Sequence, residues 1–416
     1  MPAAPAFSGL LCRMRGFLLR WALVHLPDGS MPALLLLFSA VNLVIGTAAF
    51  VVAGIVSVIA QSLGVSVAAA GQATSAYALA TALLAPLLLV ATGRWPRKRA
   101  IQLALAIFTV GNAICAVAPD LPTLLAGRVV MGLGAVFTPI AAGIAIATTE
   151  PARRGRALSV VFLGISLSYV VGIPLGAWLG LRFGWRVPIS LVTLLSLAML
   201  VLVTRKVPAD IEAPGANLAG VTALLGRPQV FLPLLLTLLY FVAIFCVFSY
   251  IGPVLQALLP MSRERLSLTL MLFGLSGVVG TLVGGWANDH FGPRRALALQ
   301  LATLGTMMAL VPFTKGHYAA IVAVFVVWGV AGFGMMTPQQ SRLAAAAPAQ
   351  APLLLSLNTS MLYFGTALGA AVGGAASSRI GFDHLSWLGV PLAVAGLATL
   401  PFGRPRPPRA ASSMAS

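Results

Sequence analysis

The chain has 416 residues; 59% are hydrophobic, only 8% are charged, and the formal net charge is +18 at pH 7. A soluble domain carries roughly 25% charged residues, so an ordinary soluble fold of two or three domains is excluded and a chain bathed in lipid is indicated. The positive charge does not indicate a nucleic-acid partner, because no basic face is interleaved with aromatic residues.

Residues 1–32 are predicted to form a cytoplasmic N-terminal tail. Arg13, Arg15 and Arg20 alternate there with Leu and Phe, the pattern of an amphipathic helix lying in a membrane interface. A signal peptide would need a small-residue cleavage site before the first apolar run, and no convincing one is present. Met31 directly precedes that run, which leaves open a start of translation there. Residues 33–206 then hold predicted spans at 34–59, 71–91, 100–118, 122–147, 158–180 and 187–205. The polar stretch 207–229, with Pro208, Asp210, Glu212, Pro214 and Gly215, reads as a cytoplasmic linker. Residues 230–403 hold spans at 230–251, 267–287, 296–314, 318–338, 353–376 and 384–402, and 404–416 form a short basic cytoplasmic tail. Runs of about 18 apolar residues cross a hydrocarbon layer of roughly 30 Å as helix, and lipid offers a bare backbone no other partner. The predicted fold is therefore an all-α membrane protein of twelve transmembrane helices in two pseudo-symmetric six-helix bundles.

Two basic turns carry the symmetry. Gly93-Arg94-Trp95-Pro96-Arg97-Lys98-Arg99 and Asp289-His290-Phe291-Gly292-Pro293-Arg294-Arg295 lie 196 residues apart, each after the second span of its half. The same offset pairs Tyr77 with Phe273. With a cytoplasmic N-terminus, 19 of the 26 Lys and Arg residues fall on the cytoplasmic side, six outside and Arg128 within a span. Such a bias fixes orientation, so a multi-pass protein with both termini cytoplasmic is expected. Small residues in the spans suit close helix packing. Pro174, between Gly172 and Gly176, removes a backbone donor and is expected to give the fifth span a flexible point.

All eight carboxylates fall in tails, loops or membrane edges, and the four histidines also avoid the apolar centres. Intramembrane ionisable groups usually mark ion pathways, and here Arg128 alone qualifies. It either snorkels to the outer interface while bonding carbonyls or anchors an anionic or carbonyl group of a substrate. The remaining candidates for an uncharged site are Asn42, Thr47, Phe50, Thr138, Tyr240, Phe245, Trp328, Gln339, Asn358 and Tyr363. Together they describe an apolar, aromatic site with a few hydrogen-bonding groups, suited to small amphipathic organic molecules. Cys12, Cys115 and Cys246 show neither disulfide nor metal spacing. No metal or cofactor is expected, and His, Ser and acids never gather at one depth as an enzyme would require.

Several motifs resemble the major facilitator superfamily, in its bacterial drug and sugar efflux (arabinose-efflux-like) branch, from about residue 33 to 400. Gly285-Trp286-Ala287-Asn288-Asp289-His290-Phe291-Gly292-Pro293-Arg294-Arg295 is similar to the family's signature loop, and Gly93 to Arg99 to its first-half copy. Arg128, Gly132 and Gly134 fit the span-four signature. Gly172-Ile173-Pro174-Leu175-Gly176 with Gly184-Trp185-Arg186 is similar to the exporter signature, and Phe248-Ser249-Tyr250-Ile251-Gly252-Pro253 closes span seven as in arabinose-efflux-like relatives. The resemblance implies gating by Gly93, Arg94, Arg97, Pro174, Asp289, Gly292, Arg294 and Arg295, with Asp289, Arg294 and Arg295 tying cytoplasmic helix ends together. Gly93 stands where the first-half loop usually carries Asp, and Ala49 where many relatives have a glutamate, which weakens the case for proton antiport. The expectation is a secondary transporter for small organic molecules (drug-, sugar- or nucleoside-like) in a bacterial inner membrane. It would act as a monomer by alternating access, in the direction of efflux, with protons as a candidate partner. Facilitated uptake and a transporter-like sensor without transport stay open.

Overall fold

The computed structural model describes residues 31–150, 153–209, 211, 226, 228–346 and 351–401. Every regular element among them is helical. In chain order they are α1 (Met31–Leu63), α2 (Val67–Ala91), α3 (Arg97–Val117), α4 (Leu121–Gly134), α5 (Phe137–Ala147), α6 (Arg154–Leu167), a π-turn (Ser168–Gly172), α7 (Ile173–Phe183) and α8 (Arg186–Lys206). There follow α9 (Pro228–Phe248), α10 (Ile251–Leu258), α11 (Arg263–Leu310), α12 (Tyr318–Gly334), α13 (Met336–Ala346), α14 (Ala351–Ile380) and α15 (Gly389–Thr399). Of the predicted tail 1–32, residues 1–30 lie outside the described residues and Met31 and Pro32 already belong to α1; the tail 404–416 and most of the linker also lie outside them.

Nine helices among the described residues are long and apolar enough to cross a membrane, against the twelve expected. Part of the difference is α11, whose 48 residues would extend about 72 Å as straight helix, over twice the hydrocarbon thickness. It breaks at Gly292, where φ is 76° and ψ 160°, a conformation open mainly to glycine. Pro293 follows at the start of the new arm, where a missing N–H costs nothing. Predicted spans eight and nine are thus the arms 263–291 and 293–310. The rest of the difference is α14, 30 residues long but diluted by Gly, Ser and Thr, and the short last apolar helix Leu385–Thr399.

Alternating helices sort the loops to two ends. At the Gly64 end, the Arg186 guanidinium donates to the Ala118 carbonyl at 2.6 Å and reaches Ser62 Oγ at 3.5 Å. Gly316 N–H donates to Leu258 O at 3.0 Å there, and Lys315 Nζ to Asp383 Oδ2 at 2.8 Å. Ser66, Asp120 and Ser262 cap helices beginning at this end, accepting from Ala69, Thr123 and Arg265 N–H, which satisfies otherwise orphaned donors. The opposite, Gly292 end carries the Gly93 turn, the Glu150–Arg153 turn and the break in α11.

Close packing follows a repeated stripe of small residues. Gly172, Gly176 and Gly180 face Thr47, Val51 and Ile55 of α1 so tightly that a Cβ at any of them would collide with those side chains. About 196 residues on, Gly365, Gly369 and Gly373 of α14 press on the α9 backbone at Leu238, Val242 and Cys246. Pro174 sits just beyond the π-turn. Its ring cannot coexist with an ordinary bond to the carbonyl four residues back, and the wider turn accommodates it. The flexible point expected at Pro174 is thus a local change of helical pitch. The π-turn and α7 also pack on α11, and α2 packs along α14. These two seams join the first helices, up to α8, to the later ones.

Candidate functional site

A wall of aromatic rings occupies the middle of the molecule where the two sets of helices meet. Phe50 of α1 stacks on Tyr169 of the π-turn at 5.3 Å between centroids and lies 5.7 Å from Phe245 and 6.2 Å from Phe248, both of α9. Tyr169 meets Phe333 of α12 edge-on at 4.8 Å, and Phe248 stacks on Phe273 of α11 at 5.8 Å. Offset and edge-on pairs of this kind add attraction beyond simple burial. Trp328 stands behind Phe273, fully buried, at 5.8 Å. On the second seam Tyr77 and Tyr363 meet edge-on at 6.3 Å. The seam is also bonded from Ser75 Oγ to Ala367 O at 3.0 Å, and from Tyr250 Oη to Ala68 O at 3.5 Å.

The polar candidates form two clasps nearer the Gly292 end. In the first, Asn42 Nδ2 donates to Val161 O at 2.8 Å while its Oδ1 accepts from Thr138 Oγ1 at 2.7 Å, joining α1, α5 and α6. In the second, Gln339 Nε2 donates to Thr237 Oγ1 at 2.8 Å and to Pro233 O, and Thr237 Oγ1 donates to Asn358 Oδ1 at 2.6 Å, joining α9, α13 and α14. Asn42 and Thr237 are near-equivalent under the 196-residue offset. Tyr240 Oη bonds Gly332 O, and Thr47 Oγ1 turns back on Leu43 O at 2.8 Å. Much of the hydrogen-bonding capacity of these residues is spent inside the protein.

Charge is distributed unequally. Three charged side chains are buried among the described residues, Arg97, Arg128 and Arg342, and no described carboxylate is buried. Arg128, 2% exposed, does not snorkel to the outer interface. Its Nε donates to Ala73 O at 3.1 Å, and its two terminal nitrogens to Ala48 O at 2.7 Å and Ala49 O at 2.9 Å. The guanidinium also lies 5.3 Å over the Tyr77 ring, a cation–π contact that strengthens when dry. Ala49 therefore contributes its backbone carbonyl to the arginine. Outside the spans, the Lys315 ammonium beside Asp383 holds that carboxyl below the ordinary range. The Thr123 hydroxyl, and then its N–H, do the same for Asp120.

At the Gly292 end Arg97, 4% exposed, folds back to donate to Gly93 O at 3.0 Å, bracing the first turn, while Arg94 is exposed. In the second turn Asp289 is exposed and accepts from Asn288 Nδ2 at 3.1 Å. Gly292, Arg294 and Arg295 line a cleft of about 320 Å³ with Arg342.

A family model described as Major Facilitator Superfamily matches residues 38–351 and, again, 259–415. The chain belongs to that superfamily. The Escherichia coli (strain K12) inner membrane transport protein YdhP is 32% identical over 358 residues, covering 86% of this chain and 91% of that protein. An uncharacterized MFS-type transporter of Bacillus subtilis (strain 168), YbcL, is 28% identical over 350 residues, covering 84% and 90%. Among solved structures, a bacterial homolog of the human lysosomal transporter Spinster, inward-facing and occupied, aligns with a TM-score of 0.73 at 17% identity, covering 91% of this chain and 95% of that one. A D-xylose–proton symporter aligns with a TM-score of 0.73 at 16% identity, covering 90% and 98%. At these identities the structural likeness is one of fold. The named relatives are transporters rather than enzymes.

Within this superfamily fold, the residues that sequence reasoning passed over are Tyr169, Phe248, Phe273, Phe333 and Thr237. Two of them had a signal. Phe273 pairs with Tyr77 at the 196-residue offset, and Thr237 falls one residue short of the position that Asn42 projects to. Tyr169 and Phe333 had none beyond being aromatic, and Phe248 was read only as the first residue of the motif that closes span seven.

Proposed function

We propose that the chain is a twelve-span secondary transporter of a bacterial inner membrane, acting as a monomer and exporting small amphipathic organic molecules by alternating access. Two helix bundles, 33–206 and 230–403, would rock about the aromatic wall, with the Gly292 end and both termini cytoplasmic. The observation that carries this reading is the wall itself: Phe50, Tyr169, Phe245, Phe248 and Phe333 come from both sets of helices and meet at their shared centre. A site at the interface of repeats is where such carriers bind. Because Asn42, Thr138, Gln339 and Asn358 already bond across helices, substrate recognition rests on ring faces more than on donors and acceptors. That favours drug-like or nucleoside-like planar molecules over sugars. The basic residues of the Gly292 end support the orientation, and the named relative YdhP supports the inner membrane.

No described carboxylate is buried at the wall, so proton coupling would have to use an acid at a loop edge or a proton travelling with the substrate. Counterflow and net flux in proteoliposomes, with and without a pH gradient, test this reading. Gradient-driven extrusion in inside-out vesicles, lost in Phe50→Ala, agrees with efflux. Transport indifferent to the gradient would make the protein a facilitator. Absence of flux for every drug, sugar and nucleoside tried would favour a sensor.

A further inference from the structure

The three buried arginines differ in what solvates them. Arg97 bonds Gly93 O, and Arg128 bonds three carbonyls. Arg342, 5% exposed near the end of α13, has no hydrogen-bond partner among the described residues at any of its three guanidinium nitrogens. It lines the cleft of about 320 Å³ at the Gly292 end together with Arg294, Arg295, Gln229 and Phe291.

A guanidinium that has shed water without gaining acceptors is costly, and further cations beside it add repulsion that a dry surrounding leaves poorly screened. Both costs are relieved by one small anion rich in oxygen. A phosphate group fits best, since its several oxygens match the planar forks of more than one arginine at once. The carboxylate nearest along the chain to Arg294 and Arg295, Asp289, is exposed and bonded by Asn288. The surroundings place the cleft at a membrane boundary. Phe291 is 43% exposed, and Trp286, 53% exposed, packs on His290 at 4.7 Å and on Phe291 at 5.4 Å. Exposed aromatic rings of this kind sit at headgroup depth, and basic pockets between spans there suit lipid phosphates.

We propose that this cleft is a binding site for a phosphate-class anion, held by Arg342 with Arg294 and Arg295. The phosphate is either that of an anionic lipid headgroup or a free one. The site is separate from the aromatic wall and does not depend on what the wall carries.

The test uses the full chain, purified in dodecyl maltoside and stripped of lipid, with its thermal transition followed by tryptophan fluorescence. The probes are sodium phosphate against sodium chloride of equal ionic strength, and dioleoylphosphatidylglycerol against dioleoylphosphatidylcholine. The expected result is a saturable rise in Tm beyond the matched control, with an apparent Kd raised about tenfold or more in Arg342→Gln, the factor expected for losing a charge-assisted hydrogen bond. A response to phosphatidylglycerol alone identifies the lipid headgroup, and a response to inorganic phosphate identifies the free anion; either supports the site. No response in the wild type, or an equal one in Arg342→Gln, overturns it. A response appearing only in an Asp210→Asn, Glu212→Gln double variant would mean that the chain's own acids fill the cleft, and also overturns it. Should Arg342→Gln fail to fold, Arg295→Gln at an exposed position repeats the comparison, where an unchanged Kd counts against the site.

Discussion

Arg128 and Arg342 are both cations withdrawn from water, one in each half of the chain, and they are accommodated in opposite ways. The first is solvated by the protein: carbonyls from two other helices and a tyrosine face replace its hydration shell. The second has no acceptor among the described residues, and further cations line its cleft. Around them the two halves are built alike, with matching glycine stripes and matching polar clasps. The contrast shows that duplication preserved what packs helices together, while charges were placed for each half separately. A buried charge bonded within the fold is structural; one left unbonded is available to a ligand.

The largest expected effect breaks that contrast directly. Arg128→Leu removes three charge-assisted bonds between α1, α2 and α4 and should cost roughly 2–4 kcal/mol. Arg342→Leu, in phosphate-free detergent, should cost less than about 1 kcal/mol or raise stability, since it removes an unpaired buried charge. Denaturation midpoints of both variants against wild type decide this. If Arg342→Leu is as damaging as Arg128→Leu, the two arginines are solvated alike.

The likeness of the halves can be sharpened next. Gly176→Val and Gly373→Val each force a side chain into a helix contact with no room, and each should cost about 1–3 kcal/mol. Similar losses of Tm would support equivalence, whereas a loss confined to one half would not. Thr237→Val cuts both bonds that Gln339 and Asn358 make to that hydroxyl and should cost about 1–2 kcal/mol. Thr138→Val, which breaks one bond of the first clasp, should cost about half as much. Pro174→Ala has no counterpart in the second half. It permits ordinary helix at 168–172 and should raise thermal stability while slowing transport in proteoliposomes; an unchanged rate would separate the π-turn from conformational exchange.

The smallest effect is electrostatic. Because Lys315 holds Asp383 below the ordinary carboxylate range, the stability from this pair is complete above that range and is lost as pH falls through the lowered value. The pair is partly exposed, so it contributes less than about 1 kcal/mol. The Tm gap between wild type and Asp383→Asn should be small at pH 7 and vanish near pH 2. A gap that persists in acid would assign the effect to packing.

Read without coordinates, the residues already disclosed the membrane-spanning helices and the duplicated basic turns. Arg128 was visible too, as the one ionisable group inside a predicted span. What they concealed was partnership. Asn42, Gln339 and Asn358 read as substrate ligands because a polar residue in an apolar helix looks unsatisfied until the neighbouring helix is known. Arg342 read as one more basic residue at a helix end, since its position in the chain is that of any interfacial arginine.

Amino-acid order alone decided that these segments must be helices, because lipid satisfies no backbone, and that they come in two copies, because period and turn chemistry repeat locally along the chain. Tertiary structure alone decided which polar groups face one another and which charge is left without an acceptor. Hydrogen bonds between helices join residues more than 90 positions apart, and their geometry depends on helix rotation and crossing. Local composition does not encode either quantity.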